Sequence, residues 1–266
     1  MTAGQDVWIA FNTVIQDSWW VAWREMKHLT REKIRIVFTL VQPVIWLVLM
    51  GNMFRRIADV PGFPASSYLD YMAPGIVLMT TLFAGMFGGM TIIWDRRFGY
   101  LEKMLAAPIS RASIVVGKAA AITFQATAQA MMIFLLALVF GAHFAAGWSG
   151  AIVLLFLAAL ICAFFAAFSL ALGIVLKRFE TLMVIVNFLT LPLMFSSNAM
   201  MPTSFMPGWL ASVSRFNPVS YAIEPMRSLF IVGWDAPLVA QGTATLAVLA
   251  FAMTVVATQL FRRSAI

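Results

Sequence analysis

One cysteine and two histidines among 266 residues leave almost nothing from which to build a metal centre or a disulfide framework. Cys162 has no partner in the chain, so an intramolecular bridge is excluded and inert packing is expected of it. His143 has no second ligand nearby. The phosphate-cradling pattern G-x-x-x-x-G-K-[ST] is missing: Gly117-Lys118 is followed by Ala119 and lacks the upstream glycine. There is also no G-x-G-x-x-G and no H-E-x-x-H. No catalytic residue, bound cofactor or metal is therefore expected of this chain. Charge is scarce too, at 11%, against 62% hydrophobic residues and a mean hydropathy of +0.91. A soluble globular domain does not have that composition.

What is present is a series of apolar stretches of about twenty residues, the length a helix needs to cross roughly 30 Å of hydrocarbon. They fall at 34–54, 71–94, 113–140, 150–176, 181–200 and 238–261. The expected fold is an all-α polytopic membrane protein: a single transmembrane domain over 1–266 with six transmembrane helices. Before residue 34 the segment is interrupted by Asp6, Gln16, Asp17, Arg24 and Lys27, so no cleaved signal peptide is expected.

The net charge of +7 is not a nucleic-acid signature, because its distribution follows the spans. Of the 18 Lys and Arg residues, all but Arg55, Arg56, Arg215 and Arg227 fall before or in the opening residues of the first and third spans, or after the second, fourth or sixth. The positive-inside rule then puts both termini in the cytoplasm, and an even number of spans agrees. The middles of the spans lack ionisable residues, which argues against a proton relay.

Residues 15–33 form an amphipathic segment, with Ile15, Trp19, Ala22, Met26 and Leu29 on one face and Arg24, Lys27 and Arg31 opposite. This pattern predicts an interfacial helix. Pro43 predicts a bend in the first span, and Gly85-x-x-x-Gly89 a close helix crossing in the second. Between the second and third spans a short helix over 96–107 places Leu101, Met104 and Leu105 on one apolar stripe, with Glu102 and Lys103 elsewhere, and ends at Pro108. A stripe of that kind facing the cytosol wants a groove on another protein or the membrane surface. Ser110 or Ser113 is placed to cap the next helix.

Residues 201–235 are too apolar for a free loop and too interrupted by Pro202, Pro207, Pro218 and Pro225 for a span. Short re-entrant or interfacial helices at the outer surface are expected, anchored by Trp209 and Tyr221. Uncharged polar side chains inside the spans either bond between helices or line a substrate path: Thr123, Gln125, Thr127 and Gln129 in the third, Asn187 and Asn198 in the fifth, with Thr39 and Gln42 in the first.

Three stretches together resemble the membrane subunits of ABC type-2 exporters. They are Tyr71-Met72-Ala73-Pro74-Gly75, the run from Phe98 to Ser110 followed by Gly117-Lys118, and Asn217-Pro218-Val219-Ser220-Tyr221 with Arg227. The resemblance implies that Phe98, Gly99, Leu101, Glu102, Lys103, Met104, Leu105 and Pro108 form a coupling helix seated in a cleft of the ATPase. It also implies re-entrant helices between spans five and six, where Asn217, Pro218, Tyr221, Glu224 and Arg227 lie. Two ATPase copies, which bind the ATP and Mg, and a second membrane subunit, as a homodimer, complete the implied transporter. Tyr100 departs from the pattern, standing where a small residue such as Thr is expected.

The reading that follows is a permease subunit in a bacterial inner membrane. It would export a hydrophobic or amphipathic substrate, a drug or antibiotic or a lipid-like molecule. The alternatives are a permease for a polysaccharide or teichoic-acid-type polymer, a secondary carrier that needs no ATP, and a membrane scaffold. The partners expected are the ATPase, the second subunit and the lipid bilayer, with no nucleic acid.

Overall fold

The computed structural model describes residues 14–27, 33–59, 63–176, 178–199 and 206–264, with 33–38, 55 and 57 described by backbone alone. Helix α1 (14–27) is followed by α2 (Lys33–Met53), a 3-10 turn (Arg55–Asp59), α3 (Tyr68–Gly88), α4 (Met90–Arg97) and α5 (Tyr100–Ala106). Then come α6 (Arg111–Val139), α7 (Gly147–Val175), α8 (Phe179–Phe195), α9 (Gly208–Ser214), α10 (Pro218–Ile231) and α11 (Ala236–Arg263). No strand occurs among the described residues.

Among the described residues, four helical stretches have the length and apolarity to cross a bilayer: Tyr68–Arg97, Arg111–Val139, Gly147–Val175 and Ala236–Arg263. Two shorter apolar helices accompany them, Thr39–Met53 within α2 and Phe179–Phe195. At 1.5 Å per residue, the 17 residues of α8 reach about 25 Å, short of a full hydrocarbon layer. Pro192 lies in its last turn, and the chain turns at 196–199. Residues 28–32 of the expected interfacial helix, 60–62 between the first and second expected spans, Lys177, residue 200 at the end of the expected fifth span, and residues 201–205 of the expected outer region lie outside the described residues.

The bundle is organised around α7, which packs on α3, α6, α10 and α11. The reason is compositional: α7 carries no charged residue and the highest hydropathy of the four long stretches. With no hydrophobic drive between helices in lipid, close backbone approach and interhelical hydrogen bonds must hold the crossing. The α3–α7 seam has both. A Cβ on Gly85 would lie 2.8 Å from the Cys162 carbonyl oxygen, one on Gly89 2.0 Å from that of Ser169, and one on Gly173 2.5 Å from that of Gly89. Where the helix breaks between α3 and α4, the Gly89 N–H donates to Ser169 Oγ at 2.9 Å, and Ser169 Oγ donates onward to the Met86 carbonyl. The Gly85-x-x-x-Gly89 spacing is therefore filled from within the chain, by α7.

The alternation of helix directions gathers α1, the α4–α5 hairpin, the start of α6 and the ends of α7 and α11 at one end of the bundle. The start of α3, the end of α6, α9 and α10 are at the other. A separate apolar cluster sits at the hairpin end, joining Ile92, Leu101, Met104, Ile114, Val115, Leu170, Ile174 and Phe261.

Candidate functional site: the hairpin end, the outer seam and the cleft between α2, α3 and α6

At the hairpin end the expected apolar stripe turns inward. Leu101 is fully buried and Met104 nearly so, both inside the cluster formed with α6, α7 and α11, and Leu105 is half-buried against it. The reading that this stripe faces the cytosol is thus corrected: the chain supplies its own cover. The outward surface is carried instead by Phe98 (68% exposed), Tyr100 (51%), Glu102, Lys103 and Pro108. Lys103 Nζ stands 5.4 Å from the Tyr100 ring centre. Gly99 makes the turn into α5 with φ +70, a left-handed conformation that L side chains rarely adopt. Pro108 follows the helix end, and Ser110 Oγ caps α6 by accepting from the Ser113 N–H at 3.0 Å.

Helix α1 lies across the root of this hairpin. Its packed side is Ser18, Val21 and Ala22, while Ile15, Trp19, Trp20 and Trp23 stay uncovered by protein. The crossing point is Gly117, where a Cβ would meet the Ser18 carbonyl oxygen at 2.6 Å and Val21 at 2.7 Å. The next residue, Lys118, is 1% exposed; its ammonium lies 2.8 Å from Glu25 and 2.5 Å from Asp95. Arg24 completes the cluster, 2.7 Å from Glu25 and 3.3 Å from Asp95. Burial opposes ionisation of the Glu25 carboxyl, but Lys118 and Arg24 outweigh it and hold that group below its ordinary range. Arg96 adds a bond from its guanidinium to the Ile174 carbonyl at 3.2 Å, fixing α4 to the end of α7. The sequence marks Lys118 as a basic residue and within the Gly117-Lys118 motif, but its pairing needs α1 and α4 to be placed in space.

At the opposite end, Asp70 is buried and accepts from the His143 N–H at 2.7 Å and from Ser66 Oγ at 2.9 Å, which pins the α6–α7 loop to the start of α3. The Arg227 guanidinium sits 3.8 Å from the Tyr71 ring centre and donates to the carbonyls of Asn198 (2.7 Å) and Ala199 (2.9 Å). Asn198 in turn donates to Glu224 at 3.1 Å. Asn217 caps α10 through the Val219 N–H and donates to the Leu193 carbonyl and Ser196 Oγ, tying α10 to the end of α8. Pro218 occupies the first turn of α10, where its missing N–H costs nothing. Tyr221 donates to the Arg215 carbonyl at 2.9 Å, and Trp209 is exposed. Tyr71 and Asn198 join Arg227 and Glu224 here, a grouping that their separation in sequence hides.

Of the residues expected along a path, Gln125 and Gln129 line one cleft of about 540 Å³ between α2, α3 and α6, together with Thr39, Gln42 and Trp46 of α2 and Phe83, Phe87 and Thr80 of α3. Thr127 bonds to the Thr123 carbonyl within α6, and neither lines this cleft. Asn187 is exposed on α8, bonded to the Met183 carbonyl, and Asn198 belongs to the outer seam. No grouping of three potential metal ligands occurs among the described residues.

A helical bundle of this kind, with long apolar stretches, a polar seam at one end and a charged root at the other, defines a polytopic membrane protein. Residues 16–231 match the family model of the ABC-2 type transporter. The chain is 32% identical over 217 residues to the transport permease ycf38 of Cyanophora paradoxa, covering 81% of this chain and 74% of that one. It is 25% identical to the inner membrane transport permease YadH of Escherichia coli K12, over 83% and 87% of the two chains. To DrrC of Mycobacterium tuberculosis, an ABC transporter permease named for doxorubicin resistance, it is 23% identical over 79% and 75%. The chain belongs to the ABC-2 type transporter family.

Proposed function

We propose that the chain is the membrane subunit of an exporter that carries a hydrophobic or amphipathic small molecule out of the cell, powered by ATP hydrolysis on a separate ATPase. Family membership implies an ATP-binding-cassette partner, and the observation that carries the docking site is the construction of the hairpin. Leu101 and Met104 root α5 in the same cluster as α6, α7 and α11, while Phe98, Tyr100, Glu102 and Lys103 project outward. A force applied to the projecting residues is therefore delivered to three long helices rather than lost in a floppy loop. In this reading the basic hairpin end is cytoplasmic, α2 and α8 complete six crossings with the help of a second copy of the chain, and α9 and α10 are the re-entrant pair. Each copy takes one ATPase, which holds the ATP and Mg. A drug-like cargo is favoured by the name of the relative DrrC and by an uncharged cleft.

Copurification tests the docking. Phe98→Asp with Glu102→Lys changes only exposed residues and is expected to abolish recovery of the ATPase in detergent while the subunit still folds. Recovery at the unmodified level, or nucleotide-free transport by the purified chain in liposomes, overturns the reading.

A further inference from the structure

The cleft between α2, α3 and α6 is used neither by the hairpin nor by the seams that hold the helices together. Its volume of about 540 Å³ lies in the range of pockets that take drug-sized molecules. Three glutamines reach it from two helices. Gln129 of α6 donates to Thr39 Oγ1 at 2.9 Å, whereas Gln42 of α2 and Gln125 of α6 make no hydrogen bond among the described residues. Each of these two amides offers two donors and a carbonyl acceptor, and with Gln125 half-buried and Gln42 exposed both can meet a ligand in the cleft. The α3 wall is aromatic: the Phe83 and Phe87 rings are stacked, 6.1 Å apart and within 11° of parallel.

The cleft is also uncharged. No Asp, Glu, Lys or Arg lines it among the described residues. The charges near its foot, Arg24, Glu25, Asp95 and Lys118, are two cations and two anions already paired with one another. An ionic ligand would lose its hydration here and gain no counter-charge. A neutral ligand would gain apolar burial and two amide partners.

We propose that this cleft binds an uncharged aromatic molecule bearing carbonyl or hydroxyl groups, with its ring system against Phe83 and Phe87 and its polar edge on Gln42 and Gln125. The inference deepens the exporter reading and rests on it for the fate of the ligand, but not for binding.

The test uses the full chain in phosphatidylcholine nanodiscs with two probes of one ring system, quinizarin (neutral) and mitoxantrone (cationic). Binding is read as quenching of tryptophan fluorescence. Quinizarin is expected to quench saturably, with less quenching in Trp46→Phe, which removes a reporter that lines the cleft. Gln42→Leu with Gln125→Leu should weaken its binding about tenfold, the loss expected when two modest hydrogen bonds go. Gln125→Glu, folded whether or not the double variant is, should reverse the preference toward mitoxantrone. Equal affinity for both probes in the unmodified chain, non-saturable quenching that reports lipid partition only, or no effect of either substitution overturns the inference. Binding as expected in a chain that recovers no ATPase would sink the exporter reading alone. ATP-driven export unchanged by the double leucine variant, with no quinizarin site, would sink the cleft alone.

Discussion

Lys118 Nζ of α6 lies 2.8 Å from Glu25 Oε1 of α1, and the same ammonium reaches Asp95 of α4, so one buried cation joins three helices at the root of the hairpin. A buried charge is costly unless paired, and removing one partner leaves the rest uncompensated. Lys118→Met is therefore expected to destabilise the hairpin end by about 3 kcal/mol, the size typical of breaking a buried pair. The measurement is a double-mutant cycle with Glu25→Gln, read as thermal unfolding in detergent. Non-additivity of at least about 1 kcal/mol identifies the pair as coupled, and strict additivity would show that the two side chains act independently.

Acid should loosen the same joint. The Glu25 carboxyl is held below its ordinary value of 4.5 by Lys118 and Arg24, against the effect of burial. A group whose folded value is depressed contributes stability in full above its unfolded value and loses it as pH falls through the lower folded one. Proteolytic release of α1 is therefore expected to rise as pH drops below about 4.5, the ordinary value, and to go on rising as the depressed folded group takes up its proton. Glu25→Gln removes this contribution, so its release should already be higher at neutral pH and less steep toward acid. A variant with the wild-type profile would assign the effect to another carboxylate.

Two glycines separate backbone conformation from packing. At Gly99 the φ is +70 and an added Cβ meets nothing within 4 Å, so Gly99→Ala incurs a purely conformational cost of about 1 kcal/mol. At Gly89 an added Cβ falls 2.0 Å from the Ser169 carbonyl oxygen, a backbone atom that cannot rotate away. Gly89→Ala must force α3 and α7 apart, with an expected cost of about 3 kcal/mol or more, as for overpacking at its upper end. Melting temperatures in detergent should rank the unmodified chain above Gly99→Ala, and Gly99→Ala well above Gly89→Ala. ATPase stimulation should be impaired in Gly99→Ala more than its small loss of stability explains, because Gly99 sets the angle at which α5 leaves α4.

Length and apolarity made α6, α7 and α11 legible within a few residues, since a run long enough to span hydrocarbon is a one-dimensional property. The i, i+3, i+4 spacing of Leu101, Met104 and Leu105 correctly marked one face of a helix. Periodicity does not say what covers that face, and here α6, α7 and α11 cover it. Gln125 and Gln129 were singled out by polarity in an apolar run, but polarity alone did not separate them from Thr123 and Thr127. Only the position of α2 does so, by closing the cleft on one side of α6. The Glu25–Lys118 and Tyr71–Arg227 pairs were illegible because the partners sit on helices far apart in sequence.

Arg227 gives the sharpest test of the outer seam. Its guanidinium does two things at once: it stacks 3.8 Å from the Tyr71 ring centre and donates from separate nitrogens to the carbonyls of Asn198 and Ala199. A planar fork can satisfy both carbonyls while lying flat on a ring, whereas an ammonium is a single point with tetrahedral donors. Arg227→Lys keeps the charge and loses that geometry. A desolvated cation–π contact and a charge-assisted hydrogen bond are each worth roughly 2 kcal/mol, so Arg227→Lys should lose about 2 kcal/mol of stability. Tyr71→Leu should cost less in the Arg227→Lys background than in the unmodified chain, since the ring has already lost its partner. The expected export phenotype is a leak: the tie from α10 through Asn198 to the end of α8 loosens, and cargo retained by unmodified proteoliposomes escapes without nucleotide. Tight vesicles with an unaltered melting temperature would show that the seam is held by Asn217 and its bonds to Leu193 and Ser196 instead.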